Sequence, residues 1–133
     1  SFTRIAKLFQ PIVNEGGSLI TLSFHGANKV MPNYNVMGVA KAALEASVKY
    51  LSVDLGDQNI RVNAINPVAG ETPLLKKFMG EDTPEIRAKF LSTIPLGRFS
   101  TPEDMGNAAV FLCSEKANMI TGVALEVDGG RCI

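Results

Sequence analysis

The chain is poor in the residues that most often announce a chemistry: its 133 residues include one histidine, His25, and two cysteines, Cys113 and Cys132. Neither the count nor the spacing suits a disulfide scaffold or a His/Cys metal cluster, so both thiols are read as reduced and no metal site is expected. A single histidine without a carboxylate or cysteine cluster beside it reads as a polar loop residue. The 13 Lys and Arg balance the 13 Asp and Glu, and no basic run occurs. That excludes an electrostatic footprint for nucleic acid or anionic lipid. The longest fully apolar stretch, Ala108 to Cys113, is far short of the roughly 20 residues that span a bilayer. The first residues carry no signal-peptide pattern, and a cytoplasmic protein without membrane contact is expected. Among the 12 glycines no two are separated by a single residue, so no phosphate-cradling G-x-G loop can be drawn.

What is present is a regular alternation of elements. Ser1 to Phe9 reads as a helix with apolar residues on one stripe, ended by Gly16-Gly17. Ser18 to Phe24, rich in Leu, Ile and Thr, reads as a buried strand without a charge or proline to block its edge. Asn33 after Pro32 is an expected N-cap for a long helix from Tyr34 to Leu55. Val36, Ala40, Ala43, Leu44, Ser47 and Leu51 mark its buried face, and the helix is apolar enough all round to meet a partner helix. Ile60 to Ile65 alternates as a second strand ending at Asn66-Pro67. Residues 70–95 read as a mobile excursion with an amphipathic piece at Glu85 to Leu91. Thr101-Pro102-Glu103-Asp104 opens a helix running to about Ser114, with an N-cap, a first-turn proline and two acids. Val123 to Val127 is the last strand. Helix–strand alternation of this kind predicts an α/β fold, three parallel strands with flanking helices.

The pair most able to do chemistry is Tyr34 and Lys41. Seven residues is nearly two helical turns and brings phenol and ammonium to one face. An ammonium beside a phenol favours the phenolate, which would move Tyr34 toward use as a proton donor near neutral pH. The same spacing also arises by chance, as a buried Tyr and a solvated Lys. Met31 and Met37 either line an acyl-chain pocket or fill gaps in a core. Glu45, four residues after Lys41 and four before Lys49, reads as one member of a surface charge row. The Asp128-Gly129-Gly130 turn reads as structural.

The run Pro32-Asn33-Tyr34-Asn35-Val36-Met37-Gly38-Val39-Ala40-Lys41-Ala42-Ala43-Leu44-Glu45-Ala46, with Ile60-Arg61-Val62-Asn63-Ala64-Ile65, closely resembles bacterial NADH-dependent enoyl-acyl-carrier-protein reductases of the short-chain dehydrogenase/reductase superfamily. The resemblance covers residues 1 to 65, and its specific mark is six residues between Tyr34 and Lys41 where most of the superfamily has three. It implies the C-terminal half of a Rossmann-like doubly wound parallel sheet, with the glycine-rich N-terminal half absent from this chain. It implies that Tyr34 hydrogen-bonds the thioester carbonyl during hydride transfer and that Lys41 holds the nicotinamide ribose. NADH, or NADPH, is the implied cofactor, an acyl thioester on acyl carrier protein the implied substrate, and a homo-oligomer the implied assembly.

Two departures accompany the resemblance. Phe24 stands where these reductases usually carry a second tyrosine beside the substrate. Ser23 falls where the wider superfamily has its catalytic serine, and either donates to a substrate oxygen or bonds its own loop. From Asn66 the motifs change: Asn66-Pro67-Val68-Ala69-Gly70-Glu71-Thr72-Pro73, Pro95-Leu96-Gly97-Arg98 and Val127-Asp128-Gly129-Gly130 resemble the 3-oxoacyl and alcohol reductases of the same superfamily. In both branches the loop after this strand packs on the nicotinamide end, which implies cofactor contacts for Pro67 and Thr72. Three functions follow as alternatives: a trans-2-enoyl thioester reductase, a 3-oxoacyl or alcohol reductase, and a catalytically silent recombined scaffold. The chain by itself is expected to be inactive.

Overall fold

The computed structural model describes residues 2–68, 70, 72, 75, 80 and 83–133. Helix α1 spans Phe2–Phe9, strand β1 Ser18–Leu22, helix α2 Asn35–Asp54 and strand β2 Arg61–Pro67, followed by α3 at Pro84–Leu91, α4 at Pro102–Cys113 and β3 at Ala124–Val127. The expected piece at Glu85 to Leu91 is α3. Residues 71, 73–74, 76–79 and 81–82 of the expected mobile excursion lie outside the described residues, and Ile94 near its end is buried in the core.

The three strands form one parallel sheet in the order β1-β2-β3. Leu22 pairs with Ile65 and Pro67 with Val127, so all three strands end at the same edge of the sheet. Side chains alternate between two apolar layers, as a strand's period of two requires. Val62 and Ala64 join Leu19, Val48, Leu51, Leu55 and Ala124 beneath α2. Ile65 joins Ile20, Ala108, Ala109, Leu112, Leu125 and Val127 beneath α4. With a helix on each face, β2 is buried from Arg61 through Asn66. The polar half of the alternation expected at residues 60–65 therefore does not reach solvent.

Its polar members find partners instead. Arg61 donates from Nη1 to the Leu112 carbonyl and from Nη2 to the Ser114 carbonyl, meeting the unpaired acceptors at the C-terminus of α4. Asn63 donates to the Ile120 carbonyl at 2.9 Å and accepts from the Val123 N–H at 3.2 Å.

The buried face of α2 is rotated from the one expected. Val36 is 78% exposed, and Ala40 and Ala43 are exposed too, while Glu45 and Val48 are the buried residues and Leu44, Ser47 and Leu51 are half-buried. The apolar stripe of α1 likewise faces outward at Ile5, Leu8 and Phe9, with Ala6 turned in. Counting apolar residues misplaced part of the buried face of α2 because that helix is apolar on more than one side. The start of α4 follows the sequence closely: Thr101 and Asp104 form a reciprocal capping box with proline in the first turn.

Candidate active site

The sheet edge where the strands end carries the candidate residues. In open α/β sheets this edge is where ligands bind.

Tyr34 is the N-cap residue of α2, and its carbonyl accepts the first helical hydrogen bond from Gly38 N–H at 2.6 Å. Its ring packs against Phe24, with centroids 5.5 Å apart and planes tilted by 59°. The approach of the 25–27 turn to α2 depends on two glycines. A Cβ on Gly26 would lie 2.6 Å from the Tyr34 ring, and one on Gly38 would lie 2.9 Å from the Gly26 carbonyl oxygen. Asn33, the expected N-cap, instead takes a left-handed conformation at φ 61°, which turns the chain into the helix one residue later.

Lys41 sits two turns along α2 and donates from Nζ to the Leu22 carbonyl at 2.9 Å, at the exit of β1. The expected lowering of the Tyr34 pKa is reversed: burial pushes the phenol above its ordinary value. A partly desolvated phenol resists ionisation.

Ser23 is buried, and its hydroxyl neither bonds its own loop nor faces outward. It donates to Glu45 Oε1 at 2.6 Å. Glu45 is therefore not part of a surface charge row. It is a buried carboxylate that also accepts from Asn66 Nδ2 at 3.1 Å and, on Oε2, from Asn28 Nδ2 at 3.0 Å. Sequence reading missed Glu45 and Asn66. The available signal was Glu45 lying one turn beyond Lys41 on its helix face.

Phe24 is half-buried between Tyr34 and His25, and Met37 is about half exposed (49%) one turn after Tyr34. Pro67 closes β2 beside Val127. Thr72 is exposed, and its Oγ1 accepts from the Leu75 N–H at 3.2 Å. The structure thus joins Tyr34, Phe24, Gly26 and Gly38 in one cluster, and Lys41, Ser23 and Glu45 in a second around the Leu22–Ser23 peptide. Pro67 stands at the next strand end, with Thr72 further along the chain.

At the third strand end, Glu126, Asp128 and Cys132 bring ligand atoms within 4.8 Å of one another. Asp128 is committed to a turn, accepting from the Gly130 and Cys132 N–H groups at 2.9 and 2.7 Å. The Cys132 thiol is pushed up to about 12 by burial and by its hydrogen bond to Asp128.

A parallel sheet covered by helices on both faces, with tyrosine and lysine from one helix at the strand ends, defines a Rossmann-like protein of the short-chain dehydrogenase/reductase type. The chain belongs to the enoyl-(acyl carrier protein) reductase family, whose model matches residues 1–131. It is 48% identical over 130 residues to the NADH enoyl-[acyl-carrier-protein] reductase of Bacillus subtilis, covering 98% of this chain and 50% of that protein. Against the Escherichia coli enzyme of the same name it is 43% identical over 133 residues, again covering 50% of the relative. The enoyl-reductase likeness therefore continues past residue 65. Among solved structures, the enoyl-(acyl-carrier-protein) reductase of Anaplasma phagocytophilum in complex with NAD superposes with a TM-score of 0.82 at 48% identity, over 98% of this chain and 46% of that one. A 3-ketoacyl-(acyl-carrier-protein) reductase from Brucella melitensis complexed with NADH gives 0.83 at 41% identity, over 97% and 52%. The chain spans about half the length of the relatives it matches.

Proposed function

We propose that the full-length protein containing this segment reduces the 2,3 double bond of an acyl thioester, carried on acyl carrier protein, with NADH. The observation that carries this reading is the Tyr34–Lys41 pair on α2. Tyr34 is held against Phe24 and the Gly26 turn, and Lys41 is anchored at the exit of β1.

The donor set at that exit fits a nicotinamide ribose. An ammonium has three N–H donors; Leu22 takes one of Lys41's, and ribose hydroxyls would take the others. Pro67 and Thr72 would flank the nicotinamide end, with NADPH as the alternative cofactor. When bound, the cofactor supplies a hydride to the β-carbon of the substrate. Tyr34 would donate its O–H to the thioester oxygen as negative charge develops there. The half-exposed Met37 and the ring of Phe24 would line the acyl chain. Ser23, whose only proton is donated to Glu45, is not a donor to the substrate in this reading.

A homo-oligomer is supported by the outward apolar residues of α1 and α2, among them Leu8, Val39 and Val53. The remaining partner and location assignments are a cytoplasmic enzyme without nucleic-acid or membrane partners. Reduction of a 3-oxoacyl thioester is the second reading, favoured by the motifs at residues 66–73 and by the 41% identity to the Brucella reductase.

The test measures NADH consumption by the full-length protein with crotonyl and acetoacetyl thioesters. Faster reduction of the crotonyl thioester is expected, and faster reduction of the ketone would establish the second reading. Losing a donor to a developing oxyanion commonly costs about 3 kcal/mol. Tyr34→Phe should therefore lower kcat by two orders of magnitude or so with little change in substrate KM. Wild-type turnover in that variant would exclude the role assigned to Tyr34.

A further inference from the structure

One carboxylate on α2 gathers three separate segments of the chain. Glu45 is 9% exposed, and its two oxygens accept Ser23 Oγ from the exit of β1, Asn66 Nδ2 from β2 and Asn28 Nδ2 from the loop between β1 and α2. Asn66 Nδ2 also donates to Glu126 Oε1 at 3.0 Å, which carries the network on to β3. One turn before Glu45, Lys41 donates to the carbonyl of Leu22, the residue preceding Ser23. The helix is thereby pinned to the exit of β1 at two consecutive residues, once through a donor and once through an acceptor.

A buried carboxylate is a poor way to stabilise a fold, because desolvating it costs as much as its partners return and a similar-sized apolar residue often does as well. Only an acceptor with two oxygens, however, can receive three donors from three directions. The Asn28 link bears directly on the tyrosine. Asn28 and Lys29 N–H groups both donate to the His25 carbonyl, closing the short turn whose Gly26 lies against the Tyr34 ring.

We propose that Glu45 is a positioning residue of the Tyr34–Lys41 site, holding the 25–28 turn against the Tyr34 ring and setting the rotation at which Lys41 reaches the Leu22 carbonyl. It touches neither substrate nor cofactor and acts through Asn28, Ser23 and Asn66. The proposal rests on the reductase reading for its kinetic consequence but not for its structural one.

The experiment compares Glu45→Leu, Glu45→Gln and Asn28→Ala in the full-length protein. It measures kcat and KM for crotonyl thioester and NADH, thermal melting, and the resonance and alkaline titration of Tyr34 in isotope-labelled tyrosine NMR, assigned with Tyr34→Phe. Glu45→Leu should stay folded, lose about tenfold or more in kcat, as small displacements of a reacting group do, and raise the NADH KM as Lys41 loses its placement. Its Tyr34 titration should fall toward that of free tyrosine as the turn loosens. Asn28→Ala, at an exposed loop residue, should move Tyr34 in the same direction. Glu45→Gln keeps an acceptor oxygen for Ser23 and Asn66, and the exposed Asn28 amide can turn to match it, so this variant should recover most of the activity.

An unchanged Tyr34 titration in folded Glu45→Leu overturns the proposal. If that variant does not fold, an unchanged titration in Asn28→Ala does so. Glu45→Gln as defective as Glu45→Leu would also overturn it, since charge rather than hydrogen-bonded position would then be what matters. Should the wild-type protein reduce no enoyl thioester, the functional reading fails, while the Tyr34 resonance still decides the role of Glu45.

Discussion

A methyl group at Gly26 is the sharpest probe of the contact that holds Tyr34. An ideal Cβ there would lie 2.6 Å from both Cδ1 and Cε1 of the Tyr34 ring. Carbon atoms prefer separations of about 3.5–4.0 Å, so ring and turn must part by about 1 Å. Gly26 is not among the residues with positive φ, so alanine brings no backbone strain and the steric term stands alone. Phe24 already packs on the same ring, and withdrawal meets resistance. Overpacking of this kind costs about 1–3 kcal/mol. The kinetic effect should be larger than the loss of stability implies, since misplacing a reacting group by about 1 Å costs on the order of 100-fold. The assay is steady-state NADH oxidation with crotonyl thioester by full-length Gly26→Ala, alongside its melting curve. Gly56→Ala is the control, because a Cβ at Gly56 meets nothing within 4 Å. Wild-type kcat and melting in Gly26→Ala would refute the reasoning, since the ring would then not be held by the turn.

Other changes have equally definite outcomes. Gly106 lies inside α4 with nothing within 4 Å of a Cβ, so Gly106→Ala should stabilise the protein to heat or urea by the helix-propensity difference of about 1 kcal/mol. The exposed Cys113 should react with a thiol reagent at pH 8 while Cys132, pushed up to about 12 first by burial and then by Asp128, reacts far more slowly, and Asp128→Asn should speed it only in part. Burial, then the charges of Arg131 and Lys29, lower the His25 pKa against the opposing pull of Asp128. The unfolded chain therefore binds the proton more readily, and His25 contributes its full stability above its ordinary value of 6.5 and loses it as pH falls from there through its lower value in the folded protein. Urea melts from pH 8 to pH 5 should show this slope in the wild type and lose it in His25→Gln.

Several elements are determined by short-range signals, and the sequence alone carried them. The capping box at Thr101–Asp104 is complete within four residues, so no distant partner was needed to find it. The strands at β1, β2 and β3 and the long helix between the first two follow from local apolar runs and their Gly and Pro boundaries. Tyr34 and Lys41 could be paired because their separation along one helix is a matter of helical period. Which side of each element faces inward is a different kind of question. It depends on what covers the element, and that is decided by residues far away in the chain. Helices on both faces of β2 bury its polar alternates, so Arg61 spends its charge on carbonyls more than 50 residues away. Tertiary structure likewise turned Glu45, four residues from a lysine on either side, into an interior acceptor for Ser23, Asn28 and Asn66. It also took the proton of Ser23 and raised the pKa of Tyr34 rather than lowering it. Each of these outcomes is a matter of desolvation and donor supply. Those quantities exist only once segments distant in sequence have packed together.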